Sequence, residues 1–327
     1  MTRFLKRDKM PVAKGRINQL DFLKCLFIAL MVVFHLVYIG DKYPYAKAIV
    51  YTFHMPAFLM ISGYLMNVKK DTKGFAKTIW QLLLPYTVME TGYTVMASLL
   101  PIREHIDHLS IEVLAEKIFI HPLGPYWFLH TLMLCDITYY LAFRLIHKNL
   151  LVRFTLMGLS LYILSHYLGI INLSCALYFM AGTIIQQLRI SFIKLFPASP
   201  WIIIPFVLLL MFPENLDKAT VPGILIVFLA IGIGLWLFQH TPKRMMPLLL
   251  GIGRNTLPIL LFSPIFTLLC KFLLPLLQFD PSGMAFLLLS LTISMAGSIG
   301  IGYVIDRLGI SQKTLGKNLT SSFPKEA

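Results

Sequence analysis

Apolar residues run through this chain in long stretches, and polar residues gather in the gaps between them. A helix that crosses a bilayer needs roughly 20 mostly apolar residues, because each adds about 1.5 Å across a core about 30 Å thick. About ten windows fit: near 19–39, 47–67, 79–100, 126–146, 150–169, 172–189, 199–213, 221–240, 255–277 and 282–305. The seventh is short, and the boundary between the fifth and sixth is soft. The longest gap, 101–125, contains SIEVLAEKIFI, with apolar positions 111, 114, 118 and 119 at helical spacing. That spacing predicts a short amphipathic helix on the membrane surface, capped by Ser110. Pro56, Pro85, Pro258, Pro264 and Pro275 fall inside windows and predict kinks. The fold class predicted is all-α: a polytopic membrane protein of about ten helices. A basic segment (1–18) precedes the membrane domain (19–305), and a loose polar tail (306–327) follows it.

Composition agrees. Of 327 residues, 57% are hydrophobic and 13% charged, with a mean hydropathy of +0.75. So few charges cannot cover a soluble domain. The net charge of +14 invites a nucleic-acid reading, but its distribution argues against one. With ten helices and both termini cytoplasmic, 22 of the 29 Lys and Arg fall in cytoplasmic segments, 6 fall outside, and Lys24 lies within a helix. Such alternation is what the positive-inside rule produces. The apolar run after the basic N-terminus is long and lacks a small-residue cleavage site, so the first helix is expected to be retained. Cys25, Cys135, Cys175 and Cys270 all lie in windows and read as packing residues. No metal is expected: His105, His108 and His121 match no ligand spacing.

The first window, LDFLKCLFIALMVVFHLVY, carries Asp21, Lys24 and His35. Eleven residues separate Lys24 from His35, three turns plus about 20°, so they share a face about 16 Å apart along the axis. Asp21, three residues before Lys24, lies on that face too. A polar stripe of this kind must look into the bundle or a wet cavity. His54 in the second window reaches a depth similar to that of His35 on a returning helix. Each residue has an ordinary alternative. Lys24 can snorkel to headgroups, and His54, near Pro56, can tie a kinked backbone. Glu90 and Asp136 are carboxylates within windows, with no partner legible.

Lys24-x10-His35, followed by FHMPAFLMISGYL at 53–65, resembles the acyltransferase-3 family of multi-pass membrane acyltransferases. LLLPY (82–86), GPYWFLHTL (124–132) and GRNTLPILL (253–261) extend the resemblance over nearly the whole chain. Two details depart from the family pattern. Ile79 and Leu82 stand where many members have an Arg-x-x-Arg pair, with Lys77 and Gln81 nearby, and Ser263 stands where many have a histidine. No appended hydrolase-like domain is read. The resemblance implies transfer of an acyl group, acetyl from acetyl-CoA in many members, to a hydroxyl of a cell-envelope glycan or its lipid-linked precursor. It further implies a bacterial inner membrane.

On that resemblance His35 and His54 are the catalytic candidates, with His35 as base. Lys24, Asp21 and Arg254 are candidates for the acyl-CoA mouth, with Lys69, Lys70, Lys73 and Lys77 as a steering patch. Arg254 equally reads as a topology-fixing charge, and Trp127 as an interface anchor. Ser62, Tyr64, Trp127 and His130 are the candidates for shaping the substrate pocket. Two other function classes fit the pattern: a flippase or transporter of a lipid-linked sugar, and a non-catalytic membrane partner of a glycan synthase. No protein partner is legible.

Overall fold

The computed structural model describes residues 16–100, 104–147 and 149–324. Most of the N-terminal basic run, Arg103, Lys148 and Lys325 lie outside the described residues. The described residues form helices and no strand. In order they are α1 (Asn18–His35), α2 (Val37–Lys42), α3 (Pro44–Leu65), α4 (Thr72–Leu99), α5 (Ile111–Phe119), α6 (Trp127–Leu145), α7 (Leu150–Tyr162) and α8 (Leu173–Gln187). Then come α9 (Phe192–Leu195), α10 (Ile203–Leu210), α11 (Val221–His240), α12 (Met246–Arg254), α13 (Thr256–Leu269), α14 (Met284–Arg307) and α15 (Ile310–Leu315).

Each apolar window holds a helix, but among the described residues only 6 helices are long and apolar enough to cross a membrane. They are α1, α3, α7 with its π turn to Tyr167, α11, α13 with the turn to Leu273, and α14. The remaining four fall short for physical reasons. α4 and α6 are long, but they bury Gln81, Glu90 and Thr94, and His130, Thr131, Asp136 and Thr138. α8 has 15 residues and α10 only 8.

The first window is also broken. α1 ends at His35, Leu36 turns extended, and α2 restarts the chain. The ninth is preceded by α12, which meets α13 at Asn255. Asn255 is buried, and its amide bonds Gly251 O (2.7 Å), Ser321 O (2.9 Å) and Ser321 N (2.7 Å).

α1 and α3 form the centre, with 61% and 67% of their apolar windows buried against 11% for α7. α1 packs on α3, α11, α12, α13 and α14, and α3 packs on α6, α8 and α11. Phe27 of α1 meets Phe53 and Phe58 of α3 edge-on at 6.1 and 6.5 Å. In lipid, helices associate through close packing rather than the hydrophobic effect, and small residues permit it. A Cβ on Gly63 of α3 would lie 2.2 Å from Phe179 O of α8, and one on Gly182 of α8 would lie 2.0 Å from Met60 O of α3.

α5 forms as the spacing predicts, with Ser110 Oγ accepting from Val113 N at 3.2 Å. The tail departs from expectation: it is tied down rather than loose. Asp306 binds Ser311 Oγ, Leu319 N (2.7 Å) and the Thr320 hydroxyl and amide. Trp80 and Gln81 of α4 donate to Thr314 O (3.1 Å) and Leu315 O (2.9 Å).

The backbone contacts at Gly63 and Gly182 cannot yield as a flexible side chain can. Gly182→Val is expected to destabilise the protein by about 3 kcal/mol and to lower its unfolding temperature in detergent. A melting curve matching the parent's would refute the close α3–α8 approach.

Candidate functional site

The polar stripe on α1 is present, and two cavities open along it. The first, about 360 Å³, is lined by Lys24 and Ile28 of α1, Phe58 and Ser62 of α3, Lys70 and Thr78 near the start of α4, and Phe128 and Asp136 of α6. The second, about 170 Å³, lies at the other end of α1 and is lined by His35, Tyr51, His54, Trp127, Cys175 and Lys218. Met55 lines both, so its side chain forms part of the wall between them.

A charge cluster gathers beside Lys24 at the first cavity. The buried Asp21 carboxylate takes Lys24 Nζ on Oδ1 at 2.8 Å, and on Oδ2 takes Arg16 Nε at 2.8 Å and Arg254 Nε at 3.3 Å. Arg254 arrives because α12 lies directly on α1: a Cβ at Gly253 would fall 1.8 Å from Asp21 O. One carboxylate among three cations leaves the cluster positive. Lys70 donates to Thr78 Oγ1 at 2.6 Å. Outside the spans, burial pushes the Lys317 ammonium below its usual value, and the nearby charges of Lys70 and Lys77 push it further down. The tail thus adds a cation to the same end.

The second cavity presents two imidazoles. His35 Nδ1 lies 2.7 Å from Met31 O, and His54 Nδ1 lies 2.7 Å from Val50 O, each one helical turn back. A carbonyl only accepts, so each Nδ1 carries the hydrogen, and each Nε2 keeps a lone pair. The Tyr51 ring neighbours both, its centroid 6.4 Å from His35 and 5.2 Å from His54. Lys47 Nζ sits 5.5 Å from the Tyr51 ring centroid. The loop before α6 is held by carboxylates: Leu123 N donates to Glu90 Oε1 and Gly124 N to Glu104 Oε2, both at 2.8 Å. Gly124 has φ +53°, a left-handed conformation that suits glycine. This loop leads directly into Trp127.

The remaining candidates divide. Ser62 lines the first cavity, its hydroxyl donating to Phe58 O at 2.9 Å. Tyr64 and His130 line neither. Tyr64 packs on Phe192 at 5.1 Å, and His130 Nε2 lies 3.0 Å from Phe119 O, tying α6 to α5. Glu90 has a backbone partner rather than a cation. Tyr51, Met55 and Lys218 were missed: a tyrosine and a methionine in an apolar run and a loop lysine carry no signal until the helices pack. No cluster of His, Cys, Asp and Glu suited to a metal occurs among the described residues.

The model of the acyltransferase-3 family, an acyltransferase domain, matches residues 17–305. The chain belongs to the acyltransferase-3 family. In this chain the matched acyltransferase domain includes the helices that are long and apolar enough to cross a membrane. Part of the chain is similar to the nodulation protein NolL of Mesorhizobium japonicum, 36% identical over 123 residues. That segment is 33% of this chain and 31% of the relative, so the chain matches about a third of the length of its curated relative. No solved structure matches the chain.

Removing one partner of a buried charge cluster leaves the others uncompensated. Asp21→Asn strands three cations and is expected to cost roughly 3–5 kcal/mol of stability. Arg254→Gln, which trims the excess, is expected to cost much less. Unfolding curves of the two variants in detergent check the order, and equal losses would refute it.

Proposed function

We propose that this acyltransferase takes an acyl group, acetyl in the first instance, from acyl-CoA in the basic cavity. It transfers that group to a hydroxyl of a cell-surface glycan or lipid-linked glycan precursor in the histidine cavity. The observation that carries the reading is the pairing of a cavity lined by Lys24 and Lys70 with a two-histidine cavity, the two separated in part by the Met55 side chain. The residues fit such a donor. Lys24, Lys70 and the cations beside them suit its phosphates, and the narrow apolar space beyond suits its arm. His54 and Tyr51 flank the acceptor hydroxyl, and His35 Nε2 takes its proton as the oxygen attacks the acyl carbon. The new C–O bond replaces the C–S bond, and His35 returns the proton to the departing thiolate. The Lys24 end faces the cytoplasm of a bacterial inner membrane, with about ten crossings and both termini inside, as the positive-inside distribution favours.

His35→Ala is expected to abolish transfer while leaving insertion intact, and near-normal turnover would remove His35 as base. Lys24→Ala is expected to raise the half-saturating donor concentration, with partial rescue by Lys24→Arg. Unchanged donor titrations would reduce Lys24 to a topological charge.

Sidedness has its own test. In sealed vesicles with acetyl-CoA held at the Lys24 face, an impermeant acceptor is expected to be acylated only from the opposite face. Acylation only when both substrates share one face would defeat the two-sided arrangement and leave the transfer standing. Cysteine labelling in a Cys-free background checks the topology: a cysteine at Ser110 is expected to react with an impermeant external reagent, and one at Thr72 is not.

A further inference from the structure

One buried carboxylate has no role in the account above. Asp136 stands midway along α6, nine residues from Trp127 and nine from Leu145. It is 7% exposed, it lines the basic cavity, and its Oδ1 is buried with no hydrogen-bond partner. Buried carboxylate oxygens are normally satisfied, because leaving one without a donor is costly. Among the described residues, none of the surrounding groups donates to that oxygen. Lys70 spends one of its three ammonium N–H groups on Thr78 and makes no hydrogen bond to Asp136 Oδ1, the Tyr140 hydroxyl points to Lys70 O at 3.3 Å, and the Ser62 hydroxyl donates to Phe58 O. Phe58, Leu129, Leu132 and Leu260 complete the lining near it. An occupant of the cavity can supply the missing donor.

We infer that Asp136 accepts a hydrogen bond from an amide N–H of the pantetheine arm of acyl-CoA. The inference rests on the donor reading above and adds the register of the donor. A phosphate beside Asp136 would be repelled, so the charged end must stay at the cations of the mouth. The arm offers neutral amide N–H groups, which an orphan carboxylate oxygen can hold without a second charge. With the amides at Asp136, the thioester end points toward Met55 and the histidines. Asp136 is thus a binding and positioning residue, set between the mouth and the chemistry.

The test uses the full-length protein in detergent and displacement of a fluorescent CoA analogue. The competitors are CoA and adenosine 3′,5′-bisphosphate, which keeps phosphates but has no arm. Asp136→Leu is expected to weaken CoA tenfold or more and to leave the bisphosphate within twofold. Asp136→Asn, which keeps one acceptor oxygen, is expected to fall between. Lys70→Gln is expected to weaken both ligands alike. Because the carboxylate is unsatisfied in the empty cavity, both Asp136 variants should melt at or above the parent temperature without ligand. CoA affinity unchanged in Asp136→Leu, equal loss for both ligands, or a lowered melting temperature without ligand would each overturn the inference. A parent protein that binds no CoA would overturn the donor reading, and the inference with it.

Discussion

Asp21 is the constraint around which one end of the molecule is built. A carboxylate in a membrane helix is expensive to bury unless cations and hydrogen bonds compensate it. Here it gathers cations from its own helix, from the segment before it and from α12. Bringing Arg254 across requires α12 to lie backbone-on-backbone against α1, which Gly253 permits. The arrangement over-compensates one negative charge with three positive ones. The result is a patch of positive potential beside Lys24 at the cavity, where the proposed anionic donor would find its counter-charges already arranged.

The same economy of backbone approach shapes the other end. α3 carries its histidine, its tyrosine and the methionine shared by the two cavities, so any drift of α3 moves all three. Gly63 and Gly182 lock α3 to α8 through main-chain contact, which has little compliance. α1 ends at His35 and α3 bonds His54 to its own previous turn. Both imidazoles therefore take their tautomer from helical carbonyls rather than from an acidic partner. Among the described residues no carboxylate lines this cavity, so its one lining cation, Lys218, has no counter-charge there.

What the sequence disclosed follows from periodicity. Asp21, Lys24 and His35 share a face because 11 residues nearly close three turns, and Lys24 and His35 do line cavities. The all-helical class, the membrane setting and the family were legible for similar reasons: long apolar runs and motifs of fixed spacing. The break after His35, the junction at Asn255 and the docking of the tail were not. Each depends on partners more than sixty residues away, or on a local ψ that composition does not encode. Tyr64 and His130 sit inside family-like motifs but line neither cavity: one packs on an aromatic neighbour and the other holds a surface helix.

The departure at positions 79 and 82 is instructive here. Where many relatives of this family carry two arginines on the helix, this chain has Ile79 and Leu82, and α4 is left with Lys77 and Gln81. Between them, Gln81 reaches to Leu315 O and Trp80 to Thr314 O, so α4 fastens the tail through positions 80 and 81. The tail then delivers Lys317 close enough to Lys70 and Lys77 for the three charges to interact. Positive charge at this end is thereby supplied jointly by a loop, a helix and a docked tail. Like charges held together in a half-buried place repel one another, and an anion relieves that repulsion on arrival. Tail docking and the proposed binding of an anionic donor at this end therefore draw on the same ammonium groups. A change that frees the tail removes a cation from the cluster without touching any residue that lines the cavity.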